Sequence, residues 1–165
     1  MIPLAEVNAM PVATFVERFG DIAEHSPWVA EGAAASRPYH AVADMIAAFE
    51  ATLRTAPADA QLALIRAHPD LATKAKLTAD SNREQRNAGL ADLTPSEFVR
   101  FTDLNARYKS RFGFPFIFAV KGATKHQILD SFEARVDNSE DAEFSHALQH
   151  VMRIFRFRIE DRVAP

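Results

Sequence analysis

Within residues 66–90, two short segments supply a histidine, a hydroxyl, a carboxylate and an amide. The first is Ala67-His68-Pro69-Asp70-Leu71-Ala72. The second, after a polar connection, is Ser81-Asn82-Arg83-Glu84-Gln85. Imidazole titrates nearer neutrality than other side chains, so His68 suits proton transfer. Pro69 disfavours α-helical φ/ψ at His68. A helix arriving from Pro57 is therefore expected to stop there, leaving the ring on a stiffened corner that faces a cavity. The corner reads as an acid–base site with Glu84 across from it.

Each of these residues also has an ordinary reading. A cation at a helix C-terminus is favoured by about 0.3–1 kcal/mol, which accounts for His68 with no catalysis. Glu84 closes a capping box of the form Ser81-x-x-Glu84, and Gln85 alone carries no signal. Arg158 sits at the edge of an apolar helical stripe, and spacing alone favours a side chain that snorkels over the core edge. His146 and His150 are four apart, as two metal ligands of a hydrolase would be, but Ala147 stands where that motif needs glutamate. The helical wheel puts both opposite the apolar stripe, so a solvated face is expected and no metal site. No glycine-rich phosphate loop or Gly-x-Ser-x-Gly turn is present.

The elements that must hold these groups are helical almost throughout. Residues 4–9 read as a short first helix, and 11–19 as another with Val12, Phe15, Val16 and Phe19 on one face and Gly20 as the stop. Ser26-Pro27-Trp28 reads as a cap followed by proline at the first helical position, and Arg37-Pro38 as a break. Residues 39–55 place Val42, Met45, Ile46, Phe49 and Leu53 at helical spacing. Thr94-Pro95-Ser96-Glu97 and Thr124-x-x-Gln127 have capping-box form. The helix after Thr94 carries Phe98, Phe101, Leu104, Tyr108 and Phe112, ended by Gly113 and Pro115. Asn105 falls inside that stripe, where a buried amide needs partners and is expected to tie down a neighbouring backbone. Residues 114–120 are continuously apolar, with no second strand-like run to pair with, so an extended segment or buried helix start is expected. Asn138 or Ser139 caps a last helix striped by Phe144, Leu148, Val151, Phe155 and Ile159. The class is all-α, with roughly seven to nine mostly short helices.

With 165 residues, 48% hydrophobic and 25% charged, the chain is expected to form a single domain, 1–165, with a real core. A net charge of −3 and a pI near 6.1 give no basic excess for nucleic acid or an anionic membrane. The absence of cysteine excludes disulfides, thiolate catalysis and zinc–sulfur sites. There is no signal-peptide pattern, membrane-spanning run or peroxisomal ending, so the cytoplasm is the default expectation.

Several motifs occur in order: Ser26-Pro27-Trp28, Arg37-Pro38, His68-Pro69-Asp70-Leu71, Ser81-x-x-Glu84-Gln85 with Ala88-Gly89-Leu90, Leu104-Asn105-x-x-Tyr108, and Arg111-Phe112-Gly113-Phe114-Pro115-Phe116. As an ordered set they resemble the 2-oxo-4-hydroxy-4-carboxy-5-ureidoimidazoline (OHCU) decarboxylase family, from about residue 15 to residue 159. The resemblance implies an all-helical, cofactor-free, usually dimeric enzyme of urate breakdown that converts OHCU to (S)-allantoin and carbon dioxide. It makes His68 the catalytic residue and Glu84 its partner. It places substrate contacts at Pro69, Ser81, Gln85, the backbone of Ile117, Phe118, Ala119, Val120 and Lys121, and Arg158. The family usually reads Arg-Leu where this chain reads Arg158-Ile159.

The implied chemistry suits these residue types. The substrate's C=N bond accepts the electron pair released with carbon dioxide, so no pyridoxal or thiamine is required. The protein must hold the ring, stabilise charge moving into it, and deliver a proton to one face. Arg158 would pair with the anionic substrate, a bond whose loss typically costs about 1.5–3 kcal/mol. The alternatives are a helical interaction module presenting an aromatic groove, which predicts exposed phenylalanines, and a metal-dependent hydrolase built on His146 and His150.

Overall fold

The computed structural model describes residues 1–73 and 77–165. Residues 74–76, part of the polar connection before Ser81, lie outside the described residues. Among the described residues there are nine helices and one two-stranded sheet, so the class is all-α. No described helix is long and apolar enough to cross a membrane. The chain forms two compact units, residues 1–67 with 151–165, and residues 68–150.

The first unit contains β1 (Ile2–Pro3), α1 (Leu4–Ala9), α2 (Val12–Phe19), α3 (Trp28–Ala34), α4 (Val42–Thr55), α5 (Ala58–Arg66), the end of α9 (Glu140–Arg162) and β2 (Val163–Ala164). β1 and β2 pair in parallel, two residues each, a pairing too short to leave a pattern in the sequence. Phe15 and Phe19 of α2 are fully buried, as their spacing predicts, but Val12 is exposed. Phe15, Phe49 and Phe155 form a chain of tilted and edge-on rings with centroids 6.3 and 6.1 Å apart. Pro27 is the N-cap of α3 rather than its first residue, and Ser26 Oγ donates to the Glu24 carbonyl instead of capping. Gly32 lets α3 lie directly against α4: a Cβ there would fall 2.5 Å from Thr52 Cγ2. Asn8 and the Tyr39 backbone exchange two hydrogen bonds of 2.9 and 2.8 Å, fixing the entry to α4.

The second unit contains α6 (Ala79–Asn87), α7 (Pro95–Phe112), α8 (Lys125–Arg135) and the first half of α9. The capping boxes expected at Thr94 and Thr124 form. Thr94 Oγ1 accepts from the Glu97 N–H while Glu97 accepts from the Thr94 N–H, and Thr124 and Gln127 do the same. α7 ends at Gly113, whose φ of 74° is the left-handed conformation glycine adopts without strain. Ser139 caps α9 through the Ala142 N–H. Residues 115–120 are neither helix nor strand, so the apolar run does not start a helix. The core is built on Phe101, Tyr108, Phe116 and Phe132, with the last two rings stacked at 3.9 Å.

Candidate active site

His68 stands two residues beyond the end of α5, whose C-cap Ala67 donates back to the Ala63 and Leu64 carbonyls. The proline corner therefore forms where the sequence places it. A helix-end cation would sit in solvent, but His68 is 8% exposed. The residue has other interactions, and its Nε2 is a buried atom that makes no hydrogen bond. Downstream, Ala72 has a φ of 57°. A non-glycine residue in this region costs about 1–2 kcal/mol, so its surroundings must enforce it. They do so through the peptide between Leu71 and Ala72. Its carbonyl accepts from Asn105 Nδ2 of α7 and its N–H donates to Gln85 Oε1 of α6, each at 2.9 Å. Asn105 thus ties down a neighbouring backbone, as its place in the stripe predicts. Lys109 of α7 adds a 3.1 Å ion pair to Asp70.

α6 begins earlier than the Ser81 cap reading has it. Its N-cap is Thr78, whose hydroxyl accepts from the Ser81 N–H at 3.3 Å, so Ser81 lies in the first turn. Glu84 is therefore not the closing residue of a capping box, and that ordinary reading of it falls. Ser81, Glu84 and Gln85, at i, i+3 and i+4, share one helical face. Gln85 fastens that face to the corner that bears His68.

The 115–120 segment is held from behind. Ile117 offers its carbonyl to Arg135 NH1 at 2.9 Å, and the Arg135 guanidinium lies 4.4 Å over the Phe116 ring. Arg135 also donates to Glu143 through Nε and NH2, while Tyr108 and Asn138 donate to the same carboxylate. Burial pushes the Glu143 carboxyl up, but hydrogen bonds from Arg135, Tyr108 and Asn138 outweigh it and hold it below the usual range. Tyr108 is shifted upward by burial and by its bond to Glu143. This network escaped the sequence reading, where Tyr108 was visible as one member of an apolar stripe and of the Leu104-Asn105-x-x-Tyr108 motif.

His150 departs from expectation. It is half-buried, its ring stacks on Phe118 at 4.9 Å, and Nδ1 accepts from the Ala119 N–H at 3.0 Å. It is a support for the 115–120 segment, not part of a solvated face, and it engages one of the N–H groups assigned to substrate. Among the described residues no three His, Asp or Glu side chains are grouped as metal ligands. Arg158 belongs to the first unit and does not snorkel: it is 2% exposed, and NH1 donates to Glu24 Oε2 at 3.0 Å and to the Ile22 carbonyl at 3.2 Å. The exposed phenylalanines that an aromatic docking groove predicts are not found among the described residues. The large hydrophobic side chains exposed among the described residues are Met1, Val12 and Val99, with no phenylalanine.

The sequence profile of the OHCU decarboxylase family matches residues 8–160. The chain belongs to the OHCU decarboxylase family. It is thus a carboxy-lyase of urate degradation. It is 42% identical over 161 residues to the 2-oxo-4-hydroxy-4-carboxy-5-ureidoimidazoline decarboxylase of Haloferax volcanii, covering 98% of this chain and 96% of that protein. It is also 42% identical to the uric acid degradation bifunctional protein PucL of Bacillus subtilis, where 98% of this chain spans 33% of the longer protein. Among solved structures, an (S)-allantoin synthase superposes with a TM-score of 0.83 at 30% identity, covering 99% of this chain and 54% of that one. An OHCU decarboxylase crystallised in the presence of (S)-allantoin gives a TM-score of 0.74 at 22% identity over 88% of this chain and 96% of that one, a likeness of fold.

Proposed function

We propose that this chain converts OHCU to (S)-allantoin and carbon dioxide without a cofactor, with His68 as the acid–base group and Glu84 as its partner. The observation that most supports this reading is the buried His68 on a corner whose downstream peptide is gripped by two side-chain amides. The reaction balances on substrate and protein groups alone. The bond from C4 to the carboxylate breaks and its electron pair forms a C4=C5 double bond. The former C=N electrons move to nitrogen, which takes a proton. The 4-hydroxyl proton then leaves and C5 gains a proton, giving the ring carbonyl of allantoin. His68 delivers the C5 proton, and because it meets only one ring face the product has one hand.

Ser81, Pro69, the Gln85 Nε2 group and the backbone from Ile117 to Lys121 are proposed to hold the ring and ureido group. The hydrogen bond from the Ala119 N–H to His150 means that this donor reaches substrate only if His150 yields. Arg158 is proposed as the contact for the substrate carboxylate on the resemblance alone, since its NH1 is already engaged. The working form is proposed to be a cytoplasmic homodimer in which residues 1–165 act as one domain. The profile match running through both units supports the last point.

The test follows circular dichroism as the protein is added to urate, urate oxidase and hydroxyisourate hydrolase. Wild type is expected to give (S)-allantoin rapidly. His68→Asn and His68→Ala are expected to fold and to leave only slow, racemic conversion. Wild-type rates of (S)-allantoin formation from His68→Ala would overturn the assignment.

A further inference from the structure

The Leu71–Ala72 peptide is held at both polar ends. Asn105 Nδ2 takes its carbonyl and Gln85 Oε1 takes its N–H, so the plane cannot rotate without breaking a hydrogen bond on each side, the one to Asn105 buried and the one to Gln85 part-buried. The clamp sits three residues from His68 and holds Ala72 in the left-handed region, which alanine on its own avoids. Asn105 is a poor choice for stability. It lies within the apolar stripe of α7, is 9% exposed, and leaves its own Oδ1 buried with no hydrogen bond. A leucine at 105 would continue the stripe and remove that orphaned acceptor, at the expense only of the bond to Leu71. A residue that gives up stability to grip one peptide of the catalytic corner is explained by what it positions.

We propose that Asn105 is a positioning residue, which fixes His68 by orienting the Leu71–Ala72 peptide. The inference rests on His68 being the acid–base group. Asn105 touches no reacting atom; it sets the direction in which the chain leaves Pro69 and hence where the imidazole points. The ion pair between Lys109 and Asp70 is half in solvent and acts on a side chain, not on the peptide, so it is a minor tie.

Three variants test this in the coupled urate assay. Asn105→Leu is expected to melt within a few degrees of wild type while kcat falls at least about tenfold and KM changes less than about threefold. Asn105→Asp keeps the shape but replaces the donor with a carboxylate facing a carbonyl, so kcat is expected to fall near pH 8. Burial raises that carboxyl's pKa, and protonation restores a donor. The ratio of its kcat to wild type is therefore expected to climb as pH is lowered, a response that a purely structural residue would not give. Asp70 and Lys109 are present in both proteins and cancel in the ratio. Lys109→Met is expected to keep kcat within about twofold. The proposal is overturned if Asn105→Leu keeps kcat within twofold. If Asn105→Leu fails to fold, a pH-independent ratio for Asn105→Asp overturns it. His68→Asn run alongside separates the two readings. Loss in His68→Asn with normal Asn105 variants removes only the clamp, whereas full activity in His68→Asn removes the acid–base assignment.

Discussion

Glu143 is a fully buried carboxylate whose partners are all in place: Arg135 through two nitrogens, the Tyr108 hydroxyl and the Asn138 amide. Its role is indirect, because Arg135 carries the restraint onward to the Ile117 carbonyl. Removing one partner of such a pair leaves the other charge buried, which typically costs about 3–5 kcal/mol. Glu143→Gln is expected to lower stability at pH 7 on that scale, read by urea unfolding. The pH dependence has a definite sign. With its native pKa held below the ordinary 4.5, the group gives stability that is present above that value and is lost as pH falls through the native value. Wild type is therefore expected to lose more stability than Glu143→Gln between pH 5 and strongly acid solution, and equal slopes would show that the carboxylate contributes nothing. This residue was not legible beforehand, because its partners lie 35 and 8 positions away and nothing local marks them. The proline corner was legible because Pro69 acts on the residue beside it.

Elements followed the same division between local and distant causes. The caps at Thr94 and Thr124 were readable because a hydroxyl and an N–H three residues apart decide them. The Ser81 cap was misplaced because Thr78 offers the same chemistry one turn earlier. His150 was misassigned because a helical wheel registers only its own helix's stripe, while the partner is the 115–120 segment at Phe118 and Ala119. Close approach of two helices is another distant cause, and Gly32 shows its size. Thr52 Oγ1 donates to the Ala48 carbonyl at 2.8 Å, which fixes the side chain and leaves Cγ2 facing Gly32. In an isolated helix Gly→Ala would gain about 0.8–1 kcal/mol. Here the added methyl forces α3 and α4 apart, a type of overpacking that costs about 1–3 kcal/mol. Gly32→Ala is expected to be net destabilising, and Gly32→Ala with Thr52→Ser to recover most of the loss because serine lacks Cγ2. Thermal or urea melts of the four proteins in this cycle check it, and additive effects would mean that the methyl–methyl approach is not the cause.

At the scale of the whole molecule, the chain has two tyrosines, one in each compact unit. Both are buried and both donate their hydroxyls, Tyr39 to the Ala33 carbonyl at 2.7 Å and Tyr108 to Glu143. Burial raises Tyr39 to about 12 against the partial opposition of Arg37, and Tyr108 is shifted upward as well, by burial and then by Glu143. In the unfolded chain both titrate near 10. Above that pH the unfolded state has released protons that the native state retains, so stability falls as pH rises from about 10 toward the native values. Spectrophotometric titration at 295 nm is therefore expected to show almost no tyrosinate in the native protein at pH 10.5, where ordinary phenols are largely ionised, and then a steep rise that coincides with loss of helical circular dichroism. Tyr39→Phe and Tyr108→Phe assign the rise to one unit or the other. A gradual rise centred on pH 10 with helicity intact would mean that the hydroxyls are open to solvent, contrary to the buried cores in which these two residues lie.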